Sequence, residues 1–280
     1  MWFLLSLVAG LTFAANRLIV RSVFTKHTNP MAFGATHELL AGFMLLPLGL
    51  YFFSLPQSPH VWFAFILGIL FIFLSDFFSF LALKHIETSL YQIINQLRHV
   101  IVLIGAYVLF TEPLSLSKIS AIALIMGGIV FALKGKATLR FNKGTVYTLL
   151  NTLSIALGLL FIKQASIDVS PLFSAPVALL ISGLCIYLIV LFKQDFTKSF
   201  LPQTHRKELF LAAGLFGVFE VALFAALAIG EASKVTPVTQ SSLIFTIIGG
   251  YIFLNERSHM KQKIIGSILI AIGIILLYVL

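Results

Sequence analysis

The sequence predicts an all-α integral membrane protein whose ten transmembrane helices form two inverted five-helix repeats. Three observations predict this class. The 280 residues are 59% hydrophobic and only 10% charged, a composition far outside that of a soluble domain. Apolar segments of about 20 residues recur along the chain, each long enough to cross ~30 Å of hydrocarbon as a helix. The second half of the sequence also repeats the pattern of the first half.

The apolar segments follow one another with short connections between them. They cover residues 2–23, 30–53, 61–83, 88–110, 116–134, 145–165, 171–192, 208–229, 234–254 and 262–280. The connections hold most of the charge and are too short for a soluble domain. We therefore expect a multi-pass protein of the cytoplasmic (inner) membrane that functions within the bilayer, as a monomer or a homodimer.

Loop charge predicts the orientation. Of the 19 Lys and Arg residues, 14 follow odd-numbered segments and three follow even-numbered ones, so the positive-inside rule places the odd connections in the cytoplasm and both termini outside. No Lys or Arg precedes the first segment, which indicates a retained first helix rather than a signal peptide. The net charge of +9 is scattered over loops, so we expect no nucleic-acid partner.

Enzymatic chemistry has little support in the sequence. The single cysteine, Cys185, excludes an internal disulfide and a thiolate metal cluster. The chain has no HxxxxD, paired DxxxD or HExxH motif. We therefore expect no catalytic residue, no metal site and no cofactor. A membrane-embedded transferase is the least favoured alternative, and a channel or a receptor on the same fold is a stronger one.

An internal duplication supports the two-repeat arrangement. At an offset of 144, ten of 33 residues of 80–112 match 224–256, against roughly two or three expected by chance. The matched pairs are Phe80/Phe224, Ala82/Ala226, Leu83/Leu227, Glu87/Glu231, Ser89/Ser233, Gln96/Gln240, Ile104/Ile248, Gly105/Gly249, Tyr107/Tyr251 and Glu112/Glu256. Each half, residues 1–136 and 137–280, holds five spans. Because five is odd, the second copy enters the membrane from the opposite side.

Two segments also resemble a known family. GAYVLFTEPLSLSKISAIALIMGGIVF (105–131) and TPVTQSSLIFTIIGGYIFLNERSHMKQKIIGSILIAIGIILL (236–277) are similar to the two copies of the EamA-type repeat in the drug/metabolite transporter superfamily. Glu112 and Glu256 match the acid of its Leu/Phe-x-Glu corner, and Pro237 matches a family proline that Ile93 replaces in the first copy. The resemblance implies two inverted five-helix repeats that carry small metabolites through a central cavity. It also implies cytoplasmic termini, opposite to the orientation from loop charge.

The fourth span has an unusual polar face. In YQIINQLRHV (91–100), Gln92, Asn95, Gln96 and His99 fall within an arc of about 100° on a helix, and Arg98 flanks it. A lipid-facing Arg near the bilayer centre would cost at least ~2.5–3.5 kcal/mol. Polar side chains can also join neighbouring helices through hydrogen bonds. Four of them beside an Arg favour a water-filled pathway.

Other spans provide charged partners for this face. Glu38 beside His37, Asp76 and Glu220 lie within spans, as does Arg17. Three acids and two permanent bases suit a zwitterion, with ion pairing neutralising most of the charge. We expect an amino-acid-like or amine-containing solute whose ammonium lies near Asp76, Glu220 or Glu38 and whose anionic end lies near Arg98 or Arg17. Hydrogen bonds would come from Gln92, Asn95, Gln96 and Gln240.

Several of these assignments have structural alternatives. Arg17 could extend from a span end to the interface. His37 and His99 fit packed neutral imidazoles as well as proton carriers. The acids at span ends are expected to be caps or corner contacts; they are Glu87, Glu112, Glu231 and Glu256. The surplus acid within the spans would allow coupling to protons. The sequence thus predicts a secondary transporter that works by alternating access.

Overall fold

The protein is a bundle of twelve α-helices in the part of the chain that the structure describes. A computed structural model describes residues 1–23, 30–83, 85, 88–133, 142–192, 206–253 and 260–279, without the side chains of 21–23, 83, 88–90, 92 and 133. The helices are α1 Trp2–Val23, α2 Pro30–Tyr51, α3 Pro59–Leu83, α4 Thr88–Asn95, α5 Leu97–Phe110, α6 Leu116–Leu133, α7 Lys143–Ala165, α8 Pro171–Phe192, α9 Arg206–Ile229, α10 Ala232–Val238, α11 Ser241–Phe253 and α12 Met260–Val279. Pro30, Pro59 and Pro171 each occupy the first helical position, where a missing N–H costs nothing.

The predicted fold class is confirmed. Nine helical segments of the described chain are long and apolar enough to cross a membrane, and Leu116–Ala132 forms a shorter apolar helix. These ten segments match the ten predicted spans to within a few residues. Twelve helices arise because the fourth and ninth spans are each divided in two.

The two divisions fall at repeat-related glutamines. Gln96 separates α4 from α5, and Gln240 lies in the turn between α10 and α11. At each break the backbone tightens to a three-residue spacing: Gln96 N donates to Ile93 O at 3.2 Å, and Gln240 N donates to Pro237 O at 3.0 Å. A proline removes a helix donor only in the second copy, so proline alone does not explain the pair of breaks. Discontinuous helices at related positions are typical of transporter binding sites.

The helices pack with a two-fold pattern. Helix α1 packs on α9 and α3 on α7, while α2 pairs with α8 and α6 with α12. Exchanging each span for its repeat mate reproduces this set of pairs. Glycines permit the closest approaches, because an added Cβ at Gly42 would lie 2.7 Å from Leu180, and one at Gly183 would lie 2.9 Å from the backbone of Leu39.

The α6–α12 contact offers a matched test of this packing. A Cβ at Gly128 would lie 2.8 Å from the carbonyl oxygen of Gly266, whereas one at Gly127 would meet nothing within 4 Å. We expect Gly128→Ala to destabilise the protein by about 1–3 kcal/mol through overpacking. Gly127→Ala should be neutral or slightly stabilising, since alanine favours the helix. Melting of both variants in detergent measures the difference; equal melting temperatures would contradict the tight contact.

Candidate functional site

A cavity of about 220 Å³ occupies the centre of the bundle, beside the two helix breaks. It extends toward the end where α1 finishes and α2 begins, marked by Val20 and Pro30. Its lining residues are Phe13, Asn16, Arg17, Val20, Pro30, Phe33, Gly34, His37, Glu38, Ile72, Ser75, Asp76, Ser79, Phe80, Tyr91, Asn95, Arg98, Asn151, Ile155, Leu159, Phe216, Phe219, Glu220, Leu223, Thr236, Thr239, Gln240 and Ser242. Both halves of the chain contribute to this wall.

The two intramembrane arginines both face the cavity. The guanidinium carbon of Arg17 lies 4.8 Å from the ring centroid of Phe13, a distance at which a cation is attracted to an aromatic face. Arg17 therefore points inward and does not extend to the interface. Arg98 comes from the first turn of α5, directly after the break at Gln96. Its Nε is buried and has no hydrogen-bonding partner among the described residues.

The three intramembrane acids also line the cavity. Ser182 of α8 donates a hydrogen bond to Oδ2 of Asp76 at 3.0 Å. Glu38 is 2% exposed and Glu220 is 8% exposed. In each glutamate Oε2 is buried without a partner in the part of the chain that the structure describes.

The expected ion pairing within the spans is not observed. Among the described residues, the ion pairs lie at one end of the bundle, and none joins Arg17 or Arg98 to Asp76, Glu38 or Glu220. The reason is that the chain gives some of these groups other contacts: Arg17 covers Phe13, and Asp76 accepts from Ser182. Opposite charges therefore face the same cavity without neutralising each other directly.

His37 is held as a packed neutral imidazole. Nδ2 of Asn16 donates to Ala212 O and lies 2.8 Å from Nε2 of His37, and since an amide nitrogen only donates, Nε2 is the acceptor. The ring also contacts Phe33 and Phe216, with centroids 5.9 and 4.9 Å away. This arrangement favours the structural interpretation of His37 over a proton carrier.

One wall of the cavity is aromatic. The ring centroids of Phe13 and Phe219 are 4.6 Å apart, and those of Phe216 and Phe219 are 5.6 Å apart. The sequence has 28 phenylalanines, and composition alone does not distinguish these three from those that face lipid.

A hydrogen-bonded chain along the cavity lining was missed from the sequence. The hydroxyl of Tyr91 donates to Oδ1 of Asn151 at 3.0 Å and lies 2.9 Å from Oγ of Ser79. Nδ2 of Asn151 donates to the backbone carbonyl of Ser75 at 2.8 Å. The sequence feature that could have indicated this chain is Asn151, an asparagine within the apolar sixth span. This chain fixes α3, α4 and α7 around the cavity.

The remaining predicted residues divide into two groups. Asn95 and Gln240 line the cavity, and Asn95 Oδ1 accepts a hydrogen bond from Thr152 at 3.4 Å. Gln96 and His99 are buried but are not among the lining residues. The break at Gln96 is the physical reason, because the face predicted for an unbroken helix does not continue through it. The side chain of Gln92 lies outside the described residues.

A charged cluster at one end of the bundle joins the two halves. We call Glu112, Lys118, Lys163, Glu231 and Ser233 the inter-repeat cluster. Glu112 accepts from the backbone N–H groups of Ala232 and Ser233 at 2.8 and 3.1 Å. Lys163 lies 3.3 Å from Oε1 of Glu112, and Lys118 donates to Glu231 and Ser233. The cluster thus caps α10 of the second half with an acid from the first.

Local structure positions these groups. Thr111 ends α5 in the left-handed region, at φ 54°, which turns the chain so that Glu112 reaches α10. Lys118 is 2% exposed and Glu112 is 7% exposed. Burial of the Glu231 carboxyl opposes its ionisation, but the hydrogen bond and charge of Lys118 outweigh burial and hold the pKa of Glu231 below its usual value. Glu112 and Glu231 are corner contacts, as the sequence predicted; Glu87 and Glu256 lie outside the described residues.

Comparison with known proteins agrees with this architecture. The EamA-like transporter family matches residues 1–134 and again residues 142–279, so two copies cover nearly the whole chain. The chain belongs to the EamA-like transporter family. EamA-like proteins are transporters and not enzymes, so this chain is a multi-pass membrane protein of a transporter family. The resemblance stated from the sequence is confirmed.

Solved structures share the fold of this EamA-like chain. In total 29 solved chains match it. One of them, a crystal structure of a protein 16% identical in sequence, superimposes with a TM-score of 0.81 and covers 98% of this chain and 95% of its own. Such a low identity supports the fold alone. No curated protein matches the chain.

Proposed function

We propose that this EamA-like protein is a secondary transporter of a small zwitterionic solute, amino-acid-like or amine-containing. One observation carries the proposal: Arg98 Nε, Glu38 Oε2 and Glu220 Oε2 are buried around one cavity with no hydrogen-bonding partner among the described residues. Buried charged groups without partners are costly in a protein interior. A ligand with one anionic and one cationic end would satisfy both sets of groups.

The charges suggest how the solute is oriented. Its carboxylate lies against Arg98 and Arg17, where charge-assisted hydrogen bonds are strongest. Its ammonium lies against Glu220, in the cavity that Glu38 and Asp76 also line. Polar groups near the breaks, Asn95 and Gln240, orient the solute through hydrogen bonds. Contacts of the solute with four other residues stay predictions from the sequence: Gln92, Gln96, His37 and His99.

The aromatic wall suggests that the solute also has an apolar part. Phe13, Phe216 and Phe219 line the cavity next to the charged groups. Apolar walls with a few placed polar groups are typical of small-molecule sites. We therefore favour an amino acid with a large apolar side chain over a small polar one.

Movement across the membrane would use alternating access between the repeats, residues 1–136 and 137–280. The inter-repeat cluster ties them at one end, and the cavity extends toward the other. Access from the cluster end requires Glu112 to release α10. Rocking of one repeat against the other about a central site is the usual motion of inverted-repeat carriers. Proton movement would be coupled to it, because three acids face two arginines in the cavity.

A ligand screen with blocked derivatives tests the zwitterion proposal. We expect an amino acid such as phenylalanine to raise the melting temperature of the detergent-purified protein, since a ligand at 100 times its Kd stabilises by ~2.7 kcal/mol. The N-acetyl derivative lacks the ammonium and the methyl ester lacks the carboxylate, so neither should stabilise. Equal stabilisation by the ester or by the N-acetyl derivative would contradict two-ended recognition.

A further inference from the structure

We propose that Glu38, Ser182 and Asp76 form a proton-binding site in which one proton resides on Glu38 and is shared with Asp76 through the Ser182 hydroxyl. This site deepens the proposed function, because it would hold the coupling proton apart from the solute's ammonium at Glu220. It lies where α2, α3 and α8 meet.

The geometry at Ser182 supports this assignment. Ser182 is fully buried, and its hydroxyl donates to Oδ2 of Asp76 at 3.0 Å. Gly183, the next residue on α8, packs against the backbone of Leu39 on α2, where an added Cβ would lie 2.9 Å from Leu39 N. This contact places the Ser182 hydroxyl beside the Glu38 carboxyl, with which it interacts. A hydroxyl has one proton to donate and two lone pairs. With its proton given to Asp76, Ser182 can only accept from Glu38, and a carboxyl group donates only when it is protonated.

Within the described part of the chain, no cation forms an ion pair with Glu38. Its Oε2 is buried without a partner among the described residues, and its charged neighbours are Asp76 and Glu220, both acids. Two carboxylates that share a buried site do not both ionise readily. A proton on one of them removes the repulsion.

The other titratable groups around the site do not supply the positive charge that this proton brings to the two carboxylates. From α1, Arg17 faces Asp76 across the cavity but lies over Phe13. From α2, His37 accepts from Asn16 and stays neutral. Tyr91 of α4 is bonded to Ser79 and Asn151, and Arg98 of α5 lines the cavity after the break at Gln96. The α7 residues that line the cavity are neutral, and Glu220 of α9 adds a further negative charge.

A charge count for the cavity agrees with a single bound proton. Two arginines, Arg17 and Arg98, face three acids, Glu38, Asp76 and Glu220, which leaves one surplus negative charge when all are ionised. One proton at the Glu38 site makes the lining neutral. A zwitterion then enters or leaves without changing the net charge, and the proton is taken from water on one side and returned to water on the other.

Infrared spectroscopy of the full-length protein in a maltoside detergent tests the site without any solute. We expect a carboxylic-acid C=O stretching band at neutral pH that shifts on transfer to D2O, and Glu38→Gln should remove it. Asp76→Asn and Ser182→Ala should keep the band but shift its frequency, because the partner of the Glu38 hydroxyl changes. Ser6→Ala is the matched control for Ser182→Ala, since the Ser6 hydroxyl is also buried and donates to Trp2 O of its own helix, α1.

Two outcomes would overturn the proposal. One is a wild-type band in Glu38→Gln, which would put the proton elsewhere; loss of the band in Glu220→Gln alone would name Glu220 instead. The other is an unchanged frequency in both Asp76→Asn and Ser182→Ala, which would mean that the proton is not shared through Ser182. Because no solute is added, failure of the ligand screen with a positive infrared result would refute the proposed zwitterionic solute and leave the proton site standing.

Discussion

Replacing Arg98 with alanine is expected to weaken binding of the zwitterionic ligand at least ~30-fold, about 2 kcal/mol or more. Truncating one member of a buried, hydrogen-bonded charge pair typically costs that much. Arg98 Nε has no partner within the described protein, so the ligand's carboxylate would lose its strongest donor. Isothermal titration calorimetry of the purified variant measures the change.

Glu220→Gln should cause a comparable loss through the other end of the ligand. Its matched control is Glu208→Gln, because Glu208 lies in the first turn of the same helix, α9, and does not line the cavity. Lys261→Met, which removes an exposed cation, is the control for Arg98→Ala. If the control variants lost as much affinity as the cavity variants, the effect would come from net charge and not from a site.

Glu112→Gln is expected to lower the free energy of unfolding by about 3 kcal/mol or more. Removing one partner of a buried ion pair leaves the other charge uncompensated. Here the change also weakens two backbone hydrogen bonds at the start of α10 and leaves Lys163 without its acid. A lower melting temperature in detergent would report the loss.

The same variant separates two roles of the inter-repeat cluster. The test uses a cysteine placed at Ser242 in a Cys185→Ser background, and an impermeant thiol reagent added on the side of the cluster. If the cluster also closes its end of the cavity, Glu112→Gln should increase labelling of that cysteine. Ser242 lines the cavity close to the break at Gln240. Destabilisation without added labelling would mean that the cluster only holds the fold together.

The sequence predicts the membrane spans well because each span depends on a local property. An apolar run of about 20 residues is sufficient to define a transmembrane helix, and the bounds of α1 and α8 are those predicted. The breaks at Gln96 and Gln240 were not predicted. A break depends on the bundle around it, and only the repeat match of the two glutamines pointed to these positions.

The site is predicted less completely for a related reason. The charged residues were identifiable because ionisable groups within spans are rare and costly. Their contacts were not, because the Asp76 carboxylate accepts from Ser182 of α8, a helix distant in the sequence, and Arg17 covers Phe13 of its own helix instead of meeting an acid. Asn151 and Tyr91 were missed since polar residues of this kind often join helices. Gln96 and His99 were grouped with Asn95 by a helical period that the break interrupts.

Substrate-driven counterflow in proteoliposomes is the most direct test of the central claim, that this EamA-like protein carries a zwitterion through the central cavity. Vesicles preloaded with the unlabelled amino acid should take up labelled amino acid transiently above equilibrium, with saturation, and Arg98→Ala should abolish the uptake. Non-saturating flux without counterflow would indicate a channel. Binding without any flux would indicate a receptor, and either result would contradict the transporter proposed from this cavity.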